Sequence, residues 1–247
     1  MSSTTAPLLA GHSSAGRLDP VCSHALNLPV FNLLRGKRVV LASASPRRSE
    51  ILKTFGLQPE IVPSTFPETL SHSDFEDLTQ YPVATATEKA VEVYEKLVKQ
   101  DPEDPPDLVI GADTVVLLAG PSPAILEKPQ NDIDQLDMLR SYRGEQVQVV
   151  TGVTIVQPII ANPGYSVSSL VVGTKIKFAN CSDELLQAYV DCREGIDRAG
   201  GFAIQGQGGL LIKSIDGDYN NVVGFPGQAF FEWLSELADE GELLSMD

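Results

Sequence analysis

The sequence predicts an α/β fold in which helices flank a mixed β-sheet. Apolar runs rich in β-branched residues at 108–118, 147–156 and 168–178 are typical of buried strands. Apolar residues recur at helical spacing over residues 84–99. Helices alternate with strands in the first half of the chain, whereas two long strands later follow one another directly. We therefore expect parallel and antiparallel pairing within one sheet.

Regular structure in the first half of the chain is predicted to begin with a strand at 38–42. A helix at 46–55 follows, with Ser45 as N-cap, Pro46 at the first helical position and Gly56 beyond its end. The other elements predicted in this half are a short strand at 60–62, a polar, turn-rich segment at 68–80, the helix at 84–99, an acidic, proline-rich loop at 101–107, the strand at 108–118, a turn at 120–124 and an extended stretch at 125–128.

The second half begins with a predicted helix at 132–142, which Asn131 caps. The strands at 147–156 and 168–178 are joined by a hairpin connection at 158–164. The remaining predicted elements are a helix at 183–193 capped by Ser182 and ended by Gly195, two short strands broken by the glycines at 206–209, and an amphipathic closing helix at 226–237.

The chain of 247 residues is strongly acidic, with a formal net charge of −15. Binding to nucleic acid or to an anionic membrane needs a basic face, so neither is expected as a partner. No apolar run is long enough to span a bilayer, and the first residues lack the segments of a secretory signal. Three scattered cysteines match no disulfide framework or zinc site, which favours a cytoplasmic protein.

The length suits one α/β domain, or two closely packed lobes that share a core. Residues 1–27 are rich in small and polar side chains, and we predict a disordered N-terminal tail there. The folded domain is predicted to cover residues 28–247.

The most informative segment is the strand, small-residue turn and helix at residues 38–52. The helix opens with Pro46 followed by Arg47 and Arg48. A helix N-terminus presents unpaired N–H groups and the positive end of the dipole, which disfavours cations. Two adjacent arginines there indicate a phosphate-like ligand, which the backbone and the planar guanidinium groups would hold together. The alternative is an ordinary capped helix with exposed arginines.

Asp113 interrupts an otherwise apolar strand, which resumes at Val115. A buried carboxylate is costly unless it is paired or binds a metal ion. This cost favours function over the alternative of a capping residue at a strand end. The roles open to Asp113 are metal ligand and general base toward water.

Other positions are individually ambiguous. Taken alone, Glu68 and Lys89 are interpreted as solvated charges, whereas the proline after Lys128 holds this lysine extended, so that it can point into a cleft. Within the glycine-rich stretch at 197–209, Gln205 carries a paired donor and acceptor that could read a base edge. The sequence contains no nucleotide-binding lysine loop, no nucleophile elbow and no histidine-rich metal set. The chemistry that remains is the action of carboxylates and a metal ion on water, with Lys and Arg side chains as partners.

A series of short motifs in a fixed order resembles the Maf-like nucleotide pyrophosphatases. The series is Leu41-Ala42-Ser43-Ala44-Ser45-Pro46-Arg47-Arg48, Glu88-Lys89-Ala90, Gly111-Ala112-Asp113-Thr114, Glu127-Lys128-Pro129, Val150-Thr151-Gly152-Val153, Arg198-Ala199-Gly200, Ile204-Gln205-Gly206 and Gly217-Asp218-Tyr219. The resemblance implies a mixed α/β fold with a cleft between two lobes, akin to inosine triphosphate pyrophosphatases. It also implies metal-dependent cleavage of a nucleoside triphosphate to the monophosphate and pyrophosphate.

The resemblance also implies roles for individual residues. Asp113 would accept the proton of the attacking water and, together with Glu68, would hold Mg²⁺ or Mn²⁺. Four residues would contact the triphosphate, namely Ser43, Arg47, Lys89 and Lys128. Three others would determine which base is accepted, namely Arg48, Thr114 and Gln205. The residue types at these three positions resemble those of the branch that acts on dTTP, UTP and modified pyrimidine nucleotides.

The chain also departs from the family pattern, because Arg198 stands where the family usually has lysine and a histidine common near residue 140 is absent. The leading hypothesis is a house-cleaning pyrophosphatase for dTTP, UTP and modified pyrimidine triphosphates. The alternatives are an enzyme directed at 7-methyl-GTP or purine nucleotides, and a nucleotide-binding regulator of cell division that has lost turnover. The oligomeric state stays open: members of the family that the chain resembles are often dimers, and the apolar strand at 168–178 is a candidate interface for a homodimer.

Overall fold

A computed structural model of the protein describes residues 18–118, 123–162 and 164–245. Residues 1–17 of the predicted tail, and most of the predicted turn at 120–124, lie outside the described residues. The chain already packs onto the fold before residue 28, because Val21 is buried and forms a β-bridge with Leu57. The Cys22 N–H also donates to the Gly56 carbonyl. A single valine makes this apolar contact, and one apolar residue is too short a pattern to predict packing from the sequence.

The predicted mixed sheet is confirmed, and it contains seven strands in the order β2-β1-β3-β5-β6-β7, with β4 paired to β3. The strands are β1 Val39–Leu41, β2 Glu60–Ile61, β3 Leu108–Leu118, β4 Ala124–Leu126, β5 Gln146–Pro158, β6 Tyr165–Phe178 and β7 Ile212–Asp216. Strand β1 is parallel to β2 and β3, whereas β3, β5, β6 and β7 pair antiparallel. The connection between β5 and β6 is the hairpin that the sequence predicts.

Seven α-helices flank this sheet in the described part of the chain. They are α1 Pro29–Leu34, α2 Pro46–Thr54, α3 Gln80–Gln100, α4 Asp132–Ser141, α5 Asp183–Asp191, α6 Tyr219–Val223 and α7 Gly227–Asp239. The predicted caps Asn131 and Ser182 each accept a hydrogen bond from a backbone N–H of the first helical turn. Ser45 occupies the predicted N-cap position of α2, but its side chain makes no capping hydrogen bond.

The stretch around the glycines at 206–209 differs from the prediction of two short strands that these glycines break. Residues 202–206 form loop and turn instead of the first strand, a 3₁₀ helix spans Gln207–Leu211, and only β7 forms after it. Glu194 determines this outcome, because its carboxylate accepts hydrogen bonds from the N–H groups of Gln207 and Gly208 at 3.1 and 3.0 Å. This contact joins residues 13 and 14 positions apart, so local propensity could not predict it.

Two buried apolar clusters occupy different ends of the long antiparallel strands. The first joins α1, α2 and α7 to Val153 and Ile155 of β5. The second joins α4 and α5 to Val147 and Val149 of the same strand. Strand β3 likewise contributes Ala112 to the first cluster and Val116 to the second. The two lobes therefore share one sheet, and the residues between Ala112 and Val116 lie where the lobes meet.

Helix α3 packs closely against this junction because two glycines leave room for it. A Cβ atom at Gly111 would lie 2.2 Å from the Ala86 carbonyl oxygen, and one at Gly152 would lie 2.4 Å from the Val83 nitrogen. Any larger residue would hold the helix away from the sheet. Among the described residues, no helix combines the length and the apolar character needed to cross a membrane.

Candidate active site

A cleft of about 490 Å³ opens where the two lobes meet. All nine side chains that the sequence analysis singled out line this cleft, although they come from loops, helices and strands far apart in the chain. They are Ser43, Arg47, Arg48, Glu68, Lys89, Asp113, Thr114, Lys128 and Gln205.

The loop between β1 and α2 forms one wall of the cleft. Ser43 is buried, and its hydroxyl oxygen accepts hydrogen bonds from the Ser45 N–H at 3.2 Å and from Arg48 Nη1 at 3.1 Å. Partial burial lowers the pKa of Arg47, while the carboxylate of Asp197 across the cleft opposes this shift. Arginine keeps its charge under such a shift, so the wall stays positive.

Arg48 is fixed by three hydrogen bonds to groups from three parts of the chain. Its Nε donates to the Gly224 carbonyl at 3.0 Å, its Nη1 to Ser43 and its Nη2 to Thr114 Oγ1 at 3.1 Å. Burial lowers the pKa of its guanidinium, and the Asp113 carboxylate opposes this shift. The planar donor set of arginine suits three partners in fixed directions, which a lysine could not match.

Lys89 joins the two acidic residues of the site. Its ammonium donates to Asp113 Oδ1 at 2.8 Å and to Glu68 Oε1 at 2.5 Å, and its side chain is buried. Lys89 lies on α3 and Asp113 on β3, so the close packing at Gly111 brings the pair together. The buried charges are therefore paired, as their burial requires.

The two carboxylates differ in their electrostatic environment. Burial raises the pKa of Asp113 above its ordinary value, although Lys89 and Arg48 pull it in the opposite direction. Burial also tends to raise the pKa of Glu68. The hydrogen bond and charge of Lys89, together with the charges of Lys128 and Arg48, nevertheless hold this pKa below its ordinary value. A carboxylate with a raised pKa suits a general base, whereas one with a lowered pKa stays anionic.

The opposite rim of the cleft carries Lys128, whose ammonium lies 3.8 Å from Glu68 Oε2 and is largely exposed. Its neighbour Glu127 accepts a hydrogen bond from the buried Tyr81 hydroxyl at 2.6 Å. Burial, with this hydrogen bond to the carboxylate, raises the pKa of Tyr81 far above its ordinary value. The His72 ring packs edge-on against Tyr81, with ring centroids 4.6 Å apart. The hydrogen bond between Tyr81 and Glu127 therefore ties helix α3 to the residue that precedes Lys128.

The far lobe contributes the exposed amide of Gln205 and an ion pair between Arg198 Nη1 and Asp197, 2.9 Å apart. Arg198 therefore lines the cleft and places a positive charge there. Several other residues of the cleft wall carried no predicted role, namely Ser64, Glu127, Asp197 and Gly224. Glu127 stands in one of the ordered motifs and Asp197 directly precedes another, whereas Ser64 and Gly224 lie outside them, so the sequence contains no signal for these two.

The oxygen donors of the site fit a divalent cation that a nucleotide would help to hold. Glu68 and Asp113 each place one oxygen next to the same ammonium, so the two carboxylates converge on one point. No group of three acidic, histidine or cysteine side chains that could hold a metal ion was found within residues 18–118, 123–162 and 164–245. Mg²⁺ is typically bound by one or two carboxylates with phosphate oxygens and water, which matches this donor set.

Comparison with known proteins gives a consistent result. A sequence model of the family described as "Maf-like protein" matches residues 38–237. A Schizosaccharomyces pombe protein named dTTP/UTP pyrophosphatase is 40% identical over 90% of this chain and 92% of its own length. A Thermococcus kodakarensis protein of the same name is 42% identical, over 81% and 96%. A human protein named probable bifunctional dTTP/UTP pyrophosphatase/methyltransferase is 46% identical over 85% of this chain, which spans 33% of that protein.

Proposed function

This chain belongs to the family of Maf-like proteins, and from that premise we propose that it hydrolyses dTTP, UTP and modified pyrimidine nucleoside triphosphates to the monophosphate and pyrophosphate. Such an enzyme removes unwanted nucleotides before they enter nucleic acid. Its substrates are intracellular nucleotides, which is our reason for proposing a cytoplasmic location.

One observation carries the proposal. A single cleft combines a buried carboxylate, Asp113, with five basic side chains and a helix N-terminus, in a chain whose net charge is −15. The basic residues are Arg47, Arg48, Lys89, Lys128 and Arg198. Five basic side chains lie in this one cleft beside four carboxylates, whereas the chain as a whole is strongly acidic. This local concentration of positive charge supports a ligand with several anionic groups, and a triphosphate has that chemistry.

We assign the phosphate contacts to the wall formed by Ser43 and Arg47 and to the two lysines on the other side. The N–H groups at the start of α2 suit an anion, and the lysine ammonium groups neutralise charge that develops on the leaving pyrophosphate. Asp113 accepts a proton from the water that attacks the α-phosphorus, because burial raises its pKa toward the value that a general base needs.

A bound Mg²⁺ or Mn²⁺ supplies charge neutralisation at the phosphate oxygens. Glu68 and Asp113 would hold this cation. Glu68 suits the task because its lowered pKa keeps it anionic at neutral pH. Lys89 contacts both carboxylates and holds their oxygens close together.

We propose that the pyrimidine base lies against the apolar part of the cleft wall. Val149, Phe202 and Val222 belong to one apolar cluster and line the cleft, with Gly224 and Gln205 as polar contributors. An amide can pair with the donor and acceptor of a base edge. Thr114 contributes indirectly, because it holds Arg48 in place.

The test is product analysis with labelled water. Purified protein is incubated with dTTP and Mg²⁺ in H₂¹⁸O, and the products are separated by anion exchange. We expect dTMP and pyrophosphate, with the label in dTMP because water attacks the α-phosphorus. Formation of dTDP and phosphate would contradict the assigned bond. Label in pyrophosphate would contradict the assigned phosphorus.

A substrate panel tests the assignment of the base. We expect kcat/KM to be highest for dTTP, UTP and 5-substituted analogues, and lower for 7-methyl-GTP and inosine triphosphate. A preference for either purine nucleotide would contradict the pyrimidine assignment. Tight binding of dTTP without product, at enzyme concentrations near that of the nucleotide, would favour a regulator that lacks turnover.

A further inference from the structure

Thr151 lies behind the cleft wall, and its side chain is fully buried on β5. It stands directly opposite Thr114 in the pairing of β3 with β5, and the two hydroxyl oxygens are 3.0 Å apart. Hydrogen-bonded threonine pairs of this kind stabilise adjacent strands. Here the pair also connects to the cleft, because Thr114 Oγ1 accepts a hydrogen bond from Arg48.

The hydrogen bonds around Thr114 Oγ1 determine which threonine is the donor. Arg48 can only donate to this oxygen, and the Gly224 carbonyl oxygen, 3.3 Å away, can only accept from it. Thr114 has one hydroxyl proton, and the Gly224 carbonyl takes it. The contact with Thr151 is then a hydrogen bond only if Thr151 donates. One arrangement satisfies all three contacts, and it directs the Thr151 proton at Thr114.

We propose that Thr151 is a positioning residue for nucleotide recognition, an inference that rests on the proposed function. Its hydrogen bond keeps the Thr114 proton turned toward Gly224 and a lone pair turned toward Arg48. The contacts of Arg48 found among the described residues use three of its five N–H groups, which leaves two for the nucleotide. Thr151 thus acts on the ligand through two intermediate side chains.

Loss of the Thr151 hydroxyl should weaken binding more than chemistry. Valine has nearly the shape of threonine but no donor, so in Thr151→Val the Thr114 oxygen loses one of the hydrogen bonds that fix it, and Arg48 is then held less firmly. We expect the KM for dTTP to rise roughly three- to tenfold, the range that one hydrogen bond corresponds to. The kcat should stay within about twofold, because Asp113 and Lys89 keep their contacts.

Thr154 provides a matched control on the same strand. It is also fully buried on β5, and its hydroxyl pairs with those of Thr87 and Ser169 instead of with a cleft residue. Thr154→Val therefore removes a comparable hydroxyl pair from the same strand. It should lower the melting temperature to a similar extent and leave KM and the substrate preference unchanged.

The experiment compares Thr151→Val, Thr151→Ser and Thr154→Val with the wild type. KM and kcat are measured for dTTP and GTP, and the affinity for an α,β-imido dUTP analogue is measured by calorimetry. The proposal requires that Thr151→Val raise KM and the dissociation constant together, lower the preference for dTTP over GTP, and that Thr151→Ser restore both. Equal effects in Thr151→Val and Thr154→Val, or no effect in either, would overturn it.

Failure of the proposed function would look different. It would appear as a wild type that forms no dTMP, whatever the variants do. In that case the calorimetric comparison still decides the role of Thr151, because the analogue reports binding without turnover. Equal affinity of wild type and Thr151→Val for the analogue would then overturn the positioning role.

Discussion

The ammonium of Lys89 lies 2.8 Å from Asp113 Oδ1, and this buried pair joins helix α3 to the centre of strand β3. The lysine offsets part of the cost of a carboxylate among aliphatic neighbours, but burial still raises the pKa of Asp113. The site therefore holds an acid that is both stabilised by a partner and destabilised by its surroundings. This combination is typical of functional positions and leads to the first prediction.

Asp113→Asn should abolish most of the activity without a matching loss of stability. We expect kcat to fall by about two decades or more, because asparagine cannot accept the proton of water at neutral pH. Steady-state kinetics with dTTP measures this loss. An unchanged kcat would remove Asp113 from the role of base.

The pH dependence of stability gives an independent check of the Asp113 environment. Because its folded pKa is raised above that of the unfolded chain, the native state binds more protons between the two values. Its contribution to stability therefore falls as pH rises through that interval. The melting temperature of Asp113→Asn minus that of the wild type should be larger at pH 7.5 than at pH 4.5. A difference of the opposite sign would mean that the pairing with Lys89 outweighs burial.

Glu68→Gln should act on the dependence on metal ion. Lys89 and Lys128 keep the pKa of Glu68 low, so the wild-type carboxylate is anionic at neutral pH and available to a cation. We expect the Mg²⁺ concentration for half-maximal activity to rise about tenfold or more, with partial recovery of activity at saturating Mg²⁺. The control is Glu236→Gln, an exposed glutamate on α7 that should leave this concentration unchanged. Identical Mg²⁺ curves for Glu68→Gln and the wild type would remove Glu68 as a ligand.

The sequence predicted those parts of the fold that local patterns determine. The bounds of β3 agree to the residue, because a long apolar run between polar loops has clear ends. Helix α3 begins at Gln80, earlier than predicted, because Pro82 lies in the first turn, where a missing N–H costs little. The short helix α6 was not predicted, since five residues contain too little periodicity.

The residues of the site were predictable, but the partners that hold them were not. Chemistry and motif order pointed to Arg48, yet its Nε partner is the Gly224 carbonyl, 176 residues further along the chain. Likewise, nothing local indicates that Glu127 accepts from Tyr81, which lies 46 residues earlier. Such contacts arise from tertiary packing, so a sequence can indicate which side chain is functional without indicating what fixes its geometry.

Arg48→Lys should destabilise the protein, whereas Arg47→Lys should not. Lysine cannot reach the Gly224 carbonyl, Ser43 and Thr114 together, so at least one buried acceptor loses its donor. We expect the free energy of unfolding in urea to fall by about 1 to 3 kcal/mol for Arg48→Lys. The matched variant Arg47→Lys alters the neighbouring guanidinium, for which the described residues show no such set of contacts. Equal stability of both variants would mean that the three hydrogen bonds contribute nothing.

Gly111→Ala should disrupt both the packing of α3 and the site that depends on it. The new methyl group would lie 2.2 Å from the Ala86 carbonyl oxygen and 2.9 Å from the Ala90 Cβ, so the helix backbone must move. We expect the free energy of unfolding to fall by about 2 to 3 kcal/mol. We also expect kcat/KM to fall by more than about tenfold, because Lys89 moves with the helix.

Gly173→Ala on β6 is the control for this substitution. Its Cβ would meet the end of the Gln148 side chain, which can rotate away, so stability and activity should change little. Urea denaturation and dTTP kinetics of both variants measure the two effects. If Gly111→Ala were destabilised but kept wild-type kcat/KM, the distance between α3 and β3 would not control the pairing of Lys89 with Asp113.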